Sequence, residues 1–251
     1  MALYAGTVAA YADMYVTQPV LPLLSREFGV GPARAGLTVS AVVLAIAATS
    51  SAYGPLSDAL GRRRVMAGAT AALAVATLAC AFAPGFGALV ALRAVQGALV
   101  PGMTAVSVAY AGDRFAPHEL GPAVGGIIAA SVVGGLVGRV VSGAVAAHLG
   151  WRASFVVFAV LTAAAALAVA RGLVPGARAR LGWRRAYGGM LAHFRDPRLV
   201  GAFVVALALF FGWIGIFTYL PYRLSAPPYR LGTGTISSVY LVYAAGVLVS
   251  P

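Results

Sequence analysis

Gly54-Pro55-Leu56-Ser57-Asp58-Ala59-Leu60-Gly61-Arg62-Arg63-Arg64 lies between two long apolar runs and packs a turn, one carboxylate and three arginines into eleven residues. Pro55 lacks the amide donor that a helix interior needs, so Gly54 and Pro55 are expected to end one helix. Gly61 gives the backbone freedom to reverse. Short loops rich in arginine stay on the cytoplasmic side of a membrane, so Arg62–Arg64 mark an inner loop between two spans. Asp58 is positioned to pair with that run or to cap a helix N-terminus. By itself, such a hairpin need do no more than fix topology.

The surrounding composition agrees with a bilayer. Mean hydropathy is +0.91, 61% of residues are hydrophobic and 10% are charged, against about a quarter charged in soluble domains. The net charge of +12 is carried by arginine alone, because the chain has no lysine. Nucleic-acid binding would gather that charge on one solvated face. Here it is divided among loops between apolar runs, so nucleic acid is excluded as a partner and the lipid bilayer takes its place. Cys80 is the one cysteine and sits in an apolar run. No internal disulfide is available, and no metal site or cofactor is suggested. No His/Cys/carboxylate cluster or nucleophile–base pair falls within one leaflet, which argues against a membrane-embedded enzyme.

Apolar runs bounded by Gly, Pro or Arg predict eight spans near 3–24, 33–54, 64–83, 87–111, 121–148, 151–171, 198–221 and 231–251. With the N-terminus inside, eleven arginines fall in cytoplasmic loops and five in outer loops, so the positive-inside rule selects a cytoplasmic N-terminus. The segment 172–197 is the one long polar stretch. Its Arg184, Arg185 and Tyr187 suit either a short helix along the anionic inner leaflet or a plain linker.

An internal repeat ties the two ends of the chain together. Thr38-Val39-Ser40-Ala41-Val42-Val43-Leu44 matches Thr235-Ile236-Ser237-Ser238-Val239-Tyr240-Leu241 at an offset of 197, and Ala47-Ala48 falls on Ala244-Ala245. Spans 2 and 8 then read as copies in related halves. The expected organisation is a six-helix transmembrane half at 1–171, a cytoplasmic linker at 172–197, and an incomplete second half at 198–251.

Charged groups inside a span cost several kcal/mol on insertion scales, so each is a functional candidate. Asp13 in span 1, Arg93 in span 4 and Arg139 in span 5 stand out, and in the outer half of the membrane they are expected to satisfy one another. One reading is a buried ion cluster that holds helices together. The other makes Asp13 a proton carrier whose pKa the arginines set, because arginine itself does not change charge. Gln96 suits buried polar glue as well as substrate contact. Span 5 carries Gly126, Ala130, Gly134, Gly138 and Ser142 at every fourth place, a smooth ridge for close helix packing. Span 1 ends in Tyr15-Val16-Thr17-Gln18-Pro19-Val20-Leu21-Pro22, where two prolines bend the helix and free carbonyls toward a cavity that Tyr15 and Gln18 would line. Trp151, Tyr219, Tyr222 and Tyr229 fall at outer boundaries, where an aromatic belt sits.

Gly-x-Leu-x-Asp-x-x-Gly-Arg-Arg at Gly54–Arg63 resembles the signature loop of the major facilitator superfamily of transporters, between the second and third membrane helices. Arg93-Ala94-Val95-Gln96-Gly97 resembles the Arg-x-x-Gln-Gly pattern of that superfamily's fourth helix, where the arginine is linked to proton coupling. Gly134–Gly143 resembles the fifth-helix motif of antiporter members, except that Arg139 stands where they have proline. The span 1 ending, Gly150-Trp151-Arg152 and Tyr219–Leu224 extend the resemblance to bacterial inner-membrane efflux permeases. It implies an all-α membrane protein, a major facilitator bundle with the N-terminal six-helix half and the first two helices of the C-terminal half. The function it implies is secondary active, proton-coupled efflux of a small molecule by alternating access, with protons and the missing helices or a second chain as partners. Gly54, Asp58, Gly61, Arg62 and Arg63 would form its gating loop. A non-transporting fragment, a half-transporter that needs a partner, and a carrier of a sugar or other metabolite remain open alternatives. An apolar cavity with few fixed charges tilts the substrate toward lipophilic compounds.

Overall fold

The computed structural model describes residues 1–175 and 196–242, and all the regular structure within them is helical. In chain order the helices are α1 (Ala2–Tyr15), α2 (Leu21–Phe28), α3 (Pro32–Ala35), α4 (Leu37–Leu60), α5 (Arg62–Ala81) and α6 (Phe86–Leu99). They continue with α7 (Pro101–Arg114), α8 (Pro117–Leu149), α9 (Trp151–Gly172), α10 (Pro197–Ser225) and α11 (Thr233–Val239). Among the described residues, six stretches are long and apolar enough to cross a membrane. Hydrocarbon offers no partner to a bare backbone group, so helices that close their own hydrogen bonds are the economical way across. Helix α8, with 33 residues, reaches about 50 Å. The stretch at Arg184, Arg185 and Tyr187, most of the 172–197 linker, and Ala244-Ala245 of the repeat lie outside the described residues.

Span 1 is broken where its prolines predict. Helix α1 stops at Tyr15, a 3-10 turn covers Gln18–Val20, and α2 carries the chain on to Phe28. Pro101 divides span 4 into α6 and α7 in the same manner. The expected stop at Gly54-Pro55 is not observed: α4 runs through both residues to Leu60. Membrane helices tolerate such prolines when side chains re-satisfy the backbone nearby. Pro55 withholds a donor only from the Ser51 carbonyl, and on its other side the Ser57 hydroxyl donates to the Gly54 carbonyl at 2.8 Å. The reversal falls on Gly61 instead, at φ 94°, a region that side chains disfavour. Gly150, at φ 80°, makes the corresponding turn between α8 and α9 at the other end of the bundle.

Two apolar layers hold the helices together. Near Gly61, Leu3, Met66, Leu73, Met103 and Val169 form one; near Gly150, Val20, Leu24, Leu89, Phe155 and Phe158 form the other. Between them lies a band of buried polar residues on α1, α5, α6, α8 and α9. Trp151 is not a belt residue: it is 3% exposed, packed on Phe28 and Phe155, with its indole N–H donating to Glu27. Burial of the ring and a carboxylate acceptor for its N–H together outweigh the interface. Tyr219 and Tyr229 are exposed, whereas Tyr222 is half-buried, its hydroxyl 2.6 Å from that of Ser25 and donating to the Leu21 carbonyl at 3.1 Å. Helix α10 presents Leu207, Leu209, Phe210 and Phe211 outward, an apolar surface suited to lipid or to other helices.

Candidate functional site

The polar band is built around the break in span 1. A helix end leaves its last carbonyls without amide partners and carries partial negative charge. Arg93, fully buried on α6, points its guanidinium at that end. Nη1 donates to the Asp13 carbonyl at 2.9 Å, Nη2 to the Met14 carbonyl at 2.7 Å and Nε to the Thr38 carbonyl of α4 at 3.1 Å. Nη1 also donates to Gln96 Oε1 at 2.8 Å. One arginine therefore fastens α1, α4 and α6 at a single point.

The Asp13 side chain leaves the same turn in another direction. Oδ1 accepts from the Thr77 hydroxyl of α5 at 3.0 Å, and Oδ2 from the Thr162 hydroxyl of α9 at 2.6 Å. Thr77 Oγ1 in turn accepts from Gln96 Nε2 at 2.6 Å and also lies 2.8 Å from the Leu73 carbonyl. A continuous chain thus runs Arg93–Gln96–Thr77–Asp13. The expected direct cluster of one carboxylate and two guanidinium groups does not form. Hydroxyls, an amide and the carbonyls freed at the helix break supply the partners, so Asp13 and Arg93 meet through Gln96 and Thr77.

Arg139 occupies a separate pocket on the Gly150 side of α1. Its Nε donates to Gln18 Oε1 at 2.7 Å and its Nη1 to the Gly135 carbonyl at 2.9 Å. The guanidinium lies 3.8 Å from the Tyr15 ring centroid, with Tyr240 at 5.5 Å. Gln18 Nε2 completes the bridge to Thr218 of α10 at 3.1 Å. Tyr15, Gln18 and Gln96 therefore sit inside packed networks rather than on the walls of the two clefts described below. The ridge on α8 faces α1. Gly134 and Gly138 abut the Val8 and Ala12 backbones, where a Cβ would collide, and the Ser142 hydroxyl donates to the Val16 carbonyl at 2.6 Å.

At the Gly61 end, Arg62 pairs with Asp58 at 3.0 Å, contacts Asp113 of α7, and donates to the Ser57 hydroxyl at 2.9 Å. Arg63 donates through Nε to the Ala170 carbonyl at 3.0 Å, in the last turns of α9. Gly54 lies within α4, one turn before this network. Two clefts are open between α5 and α9: one of about 530 Å³ beside Gly61, and one of about 490 Å³ along the alanine faces of both helices.

The residues that sequence reasoning misses are Thr77, Thr162, Asp113 and Thr218. Each is a polar residue in or beside an apolar run, which is a signal. It is a weak one, because Thr7 and Thr70 look the same and only donate to carbonyls of their own helices.

A helical bundle with a broken first span, a reversal at Gly61 and an arginine in span 4 is matched by comparison with known proteins. The family described as Major Facilitator Superfamily matches residues 3–251. The chain belongs to that superfamily. It is similar to the uncharacterized MFS-type transporter YybF of Bacillus subtilis (strain 168), 30% identical over 252 residues, covering 99% of this chain and 62% of that protein. It is also similar to the inner membrane transport protein YnfM of Escherichia coli (strain K12), 28% identical over 255 residues, covering 100% of this chain and 61% of that protein. Among solved structures, an inward-facing, unoccupied bacterial homolog of the human lysosomal transporter Spinster superposes with a TM-score of 0.84 at 16% identity, covering 98% of this chain and 59% of that one. A D-xylose-proton symporter gives a TM-score of 0.77 at 17% identity, covering 98% and 66%. These structures show the fold. The chain spans about three fifths of the length of the curated relatives it matches.

Proposed function

We propose that the protein is a secondary transporter that exports a small molecule across the bacterial inner membrane by alternating access, driven by protons, with Asp13 as the proton carrier. Of the six acidic residues in the chain, five lie toward helix ends or loops. Asp13 alone is buried at mid-span. The observation that carries the reading is the pair of hydroxyls on its carboxylate. A hydroxyl donates to a carboxylate and accepts from a carboxylic acid. The 2.8 Å contact between Thr77 and the Leu73 carbonyl gives the Thr77 proton somewhere to go when Asp13 arrives protonated. Both charge states of Asp13 are thus accommodated without leaving a partner unsatisfied.

In this reading Arg93 holds the broken end of α1 and offers a fixed positive charge three hydrogen bonds from the Asp13 carboxylate. The Asp58–Arg62 pair would latch the cytoplasmic side in one state, with the N-terminus inside. The name of the Escherichia coli relative supports the inner membrane, and the excess of arginine in the inner loops supports the orientation. The test uses the full-length protein in everted membrane vesicles, with a lipophilic fluorescent dye as probe and an imposed pH gradient. Asp13→Asn is expected to abolish gradient-driven dye movement while leaving membrane insertion intact. Dye movement with unchanged pH dependence in that variant would remove Asp13 from the mechanism.

A further inference from the structure

The cleft beside Gly61 has a chemistry that the transport reading does not use. It lies between the start of α5 and the end of α9, and its walls include Leu60, Arg63, Arg64, Ala67, Ala170 and Pro175. Among the described residues its charged walls are both arginines, and no carboxylate lines it. Asp58 and Asp113 are engaged instead with Arg62. Arg63 is fixed by its hydrogen bonds to the Ala170 carbonyl, whereas Arg64 is exposed at the rim. The second cleft continues from the first, since Ala67 and Ala170 border both. From there it runs along Ala71, Ala74, Ala163 and Leu167 toward the membrane centre, walled among the described residues by apolar side chains.

We infer that these joined clefts form a binding site for one anionic phospholipid, its phosphate on Arg63 and Arg64 and an acyl chain in the alanine-walled groove. A basic pocket between membrane helices at headgroup depth suits an anionic headgroup. The groove below it is a feature that a free phosphate would not use. Small side chains on α5 and α9 lower the helix surfaces there, while exposed Val75, Leu78 and Val160 extend the apolar wall. Charge at one end and hydrocarbon along the rest match the two parts of a phospholipid in the order the bilayer presents them. The inference stands apart from proton coupling and needs only that the bundle spans a membrane.

Native mass spectrometry of the delipidated full-length protein tests it, with phosphatidylglycerol and phosphatidylcholine of identical acyl chains as probes. Phosphatidylglycerol is expected to bind its first site about 25-fold more tightly, given two arginines at roughly 1 kcal/mol each against a tenfold factor per 1.4 kcal/mol. Arg64→Gln, at an exposed position, should weaken phosphatidylglycerol about fivefold and leave phosphatidylcholine unchanged. Ala163→Phe fills the groove without altering charge and should weaken the same lipid. Equal binding of the two lipids, or full affinity in either variant, would overturn the site. Displacement of the lipid by millimolar inorganic phosphate would reduce it to an anion site and overturn the lipid assignment.

Discussion

Arg93 and Arg62 are the same residue type in two solvents, and the protein treats them differently. At the Gly61 end, Arg62 finds carboxylates, Asp58 at 3.0 Å and Asp113 across on α7, with about a sixth of its side chain exposed. Within the bundle, Arg93 finds three backbone carbonyls and a glutamine amide. A broken helix end is a ready supply of acceptors where water is absent. The lesson is that the break in span 1 and the arginine in span 4 are one device: each leaves the other's hydrogen-bonding needs unmet if removed.

Removing the interior arginine should therefore cost most. Arg93→Leu strands carbonyls on α1 and α4 and is expected to destabilise the protein by about 3–5 kcal/mol, by analogy with the loss of one partner from a buried charged pair. Thermal unfolding in detergent reads this out, and a loss below 1 kcal/mol would break the comparison. Arg62→Gln should cost about 1 kcal/mol or less, as ion pairs still in reach of solvent do. High salt should shrink the Arg62 effect and leave the Arg93 effect in place, since buried interactions are screened far less.

The smallest effect is expected at the opposite end. At Glu27, in the last turn of α2 beyond the span, partial burial is the largest single influence and pushes the carboxyl pKa up. Hydrogen bonds from Arg152 and Trp151 and the charge of Arg152 together outweigh this and hold it below its ordinary value of 4.5. Its contribution is thus present in full above about pH 4.5 and is lost as pH falls through the lowered folded value. Glu27→Gln should flatten the acid limb of the unfolding temperature and change nothing at neutral pH. An unaltered acid limb would detach Glu27 from the network.

Much of this architecture is legible in the sequence. Six of the eight expected spans and the turn at Gly61 follow from apolar run lengths and one glycine–arginine step, because hydrocarbon thickness and backbone sterics are local constraints. The break in span 1 follows from Pro19 and Pro22 for the same reason. The partners of Asp13 do not. Thr77 and Thr162 lie 64 and 149 residues away in the chain, and nothing local separates a threonine that serves a carboxylate from one that serves its own helix. Pro55 misleads for a related reason: its missing donor removes one bond, to the Ser51 carbonyl, from a 24-residue helix that runs on to Leu60. The expected ion cluster fails because charge type is visible in sequence, whereas the carbonyls of a broken helix are visible only in space.

The central claim is that Asp13 takes up and releases a proton within the hydroxyl pair. Infrared difference spectroscopy of the full-length protein in lipid, recorded across a pH titration, tests it most directly. The account predicts a protonated-carboxyl band that appears reversibly as pH is lowered and is missing in Asp13→Asn. A titrating band that survives unchanged in that variant would assign the proton to another group and contradict the account.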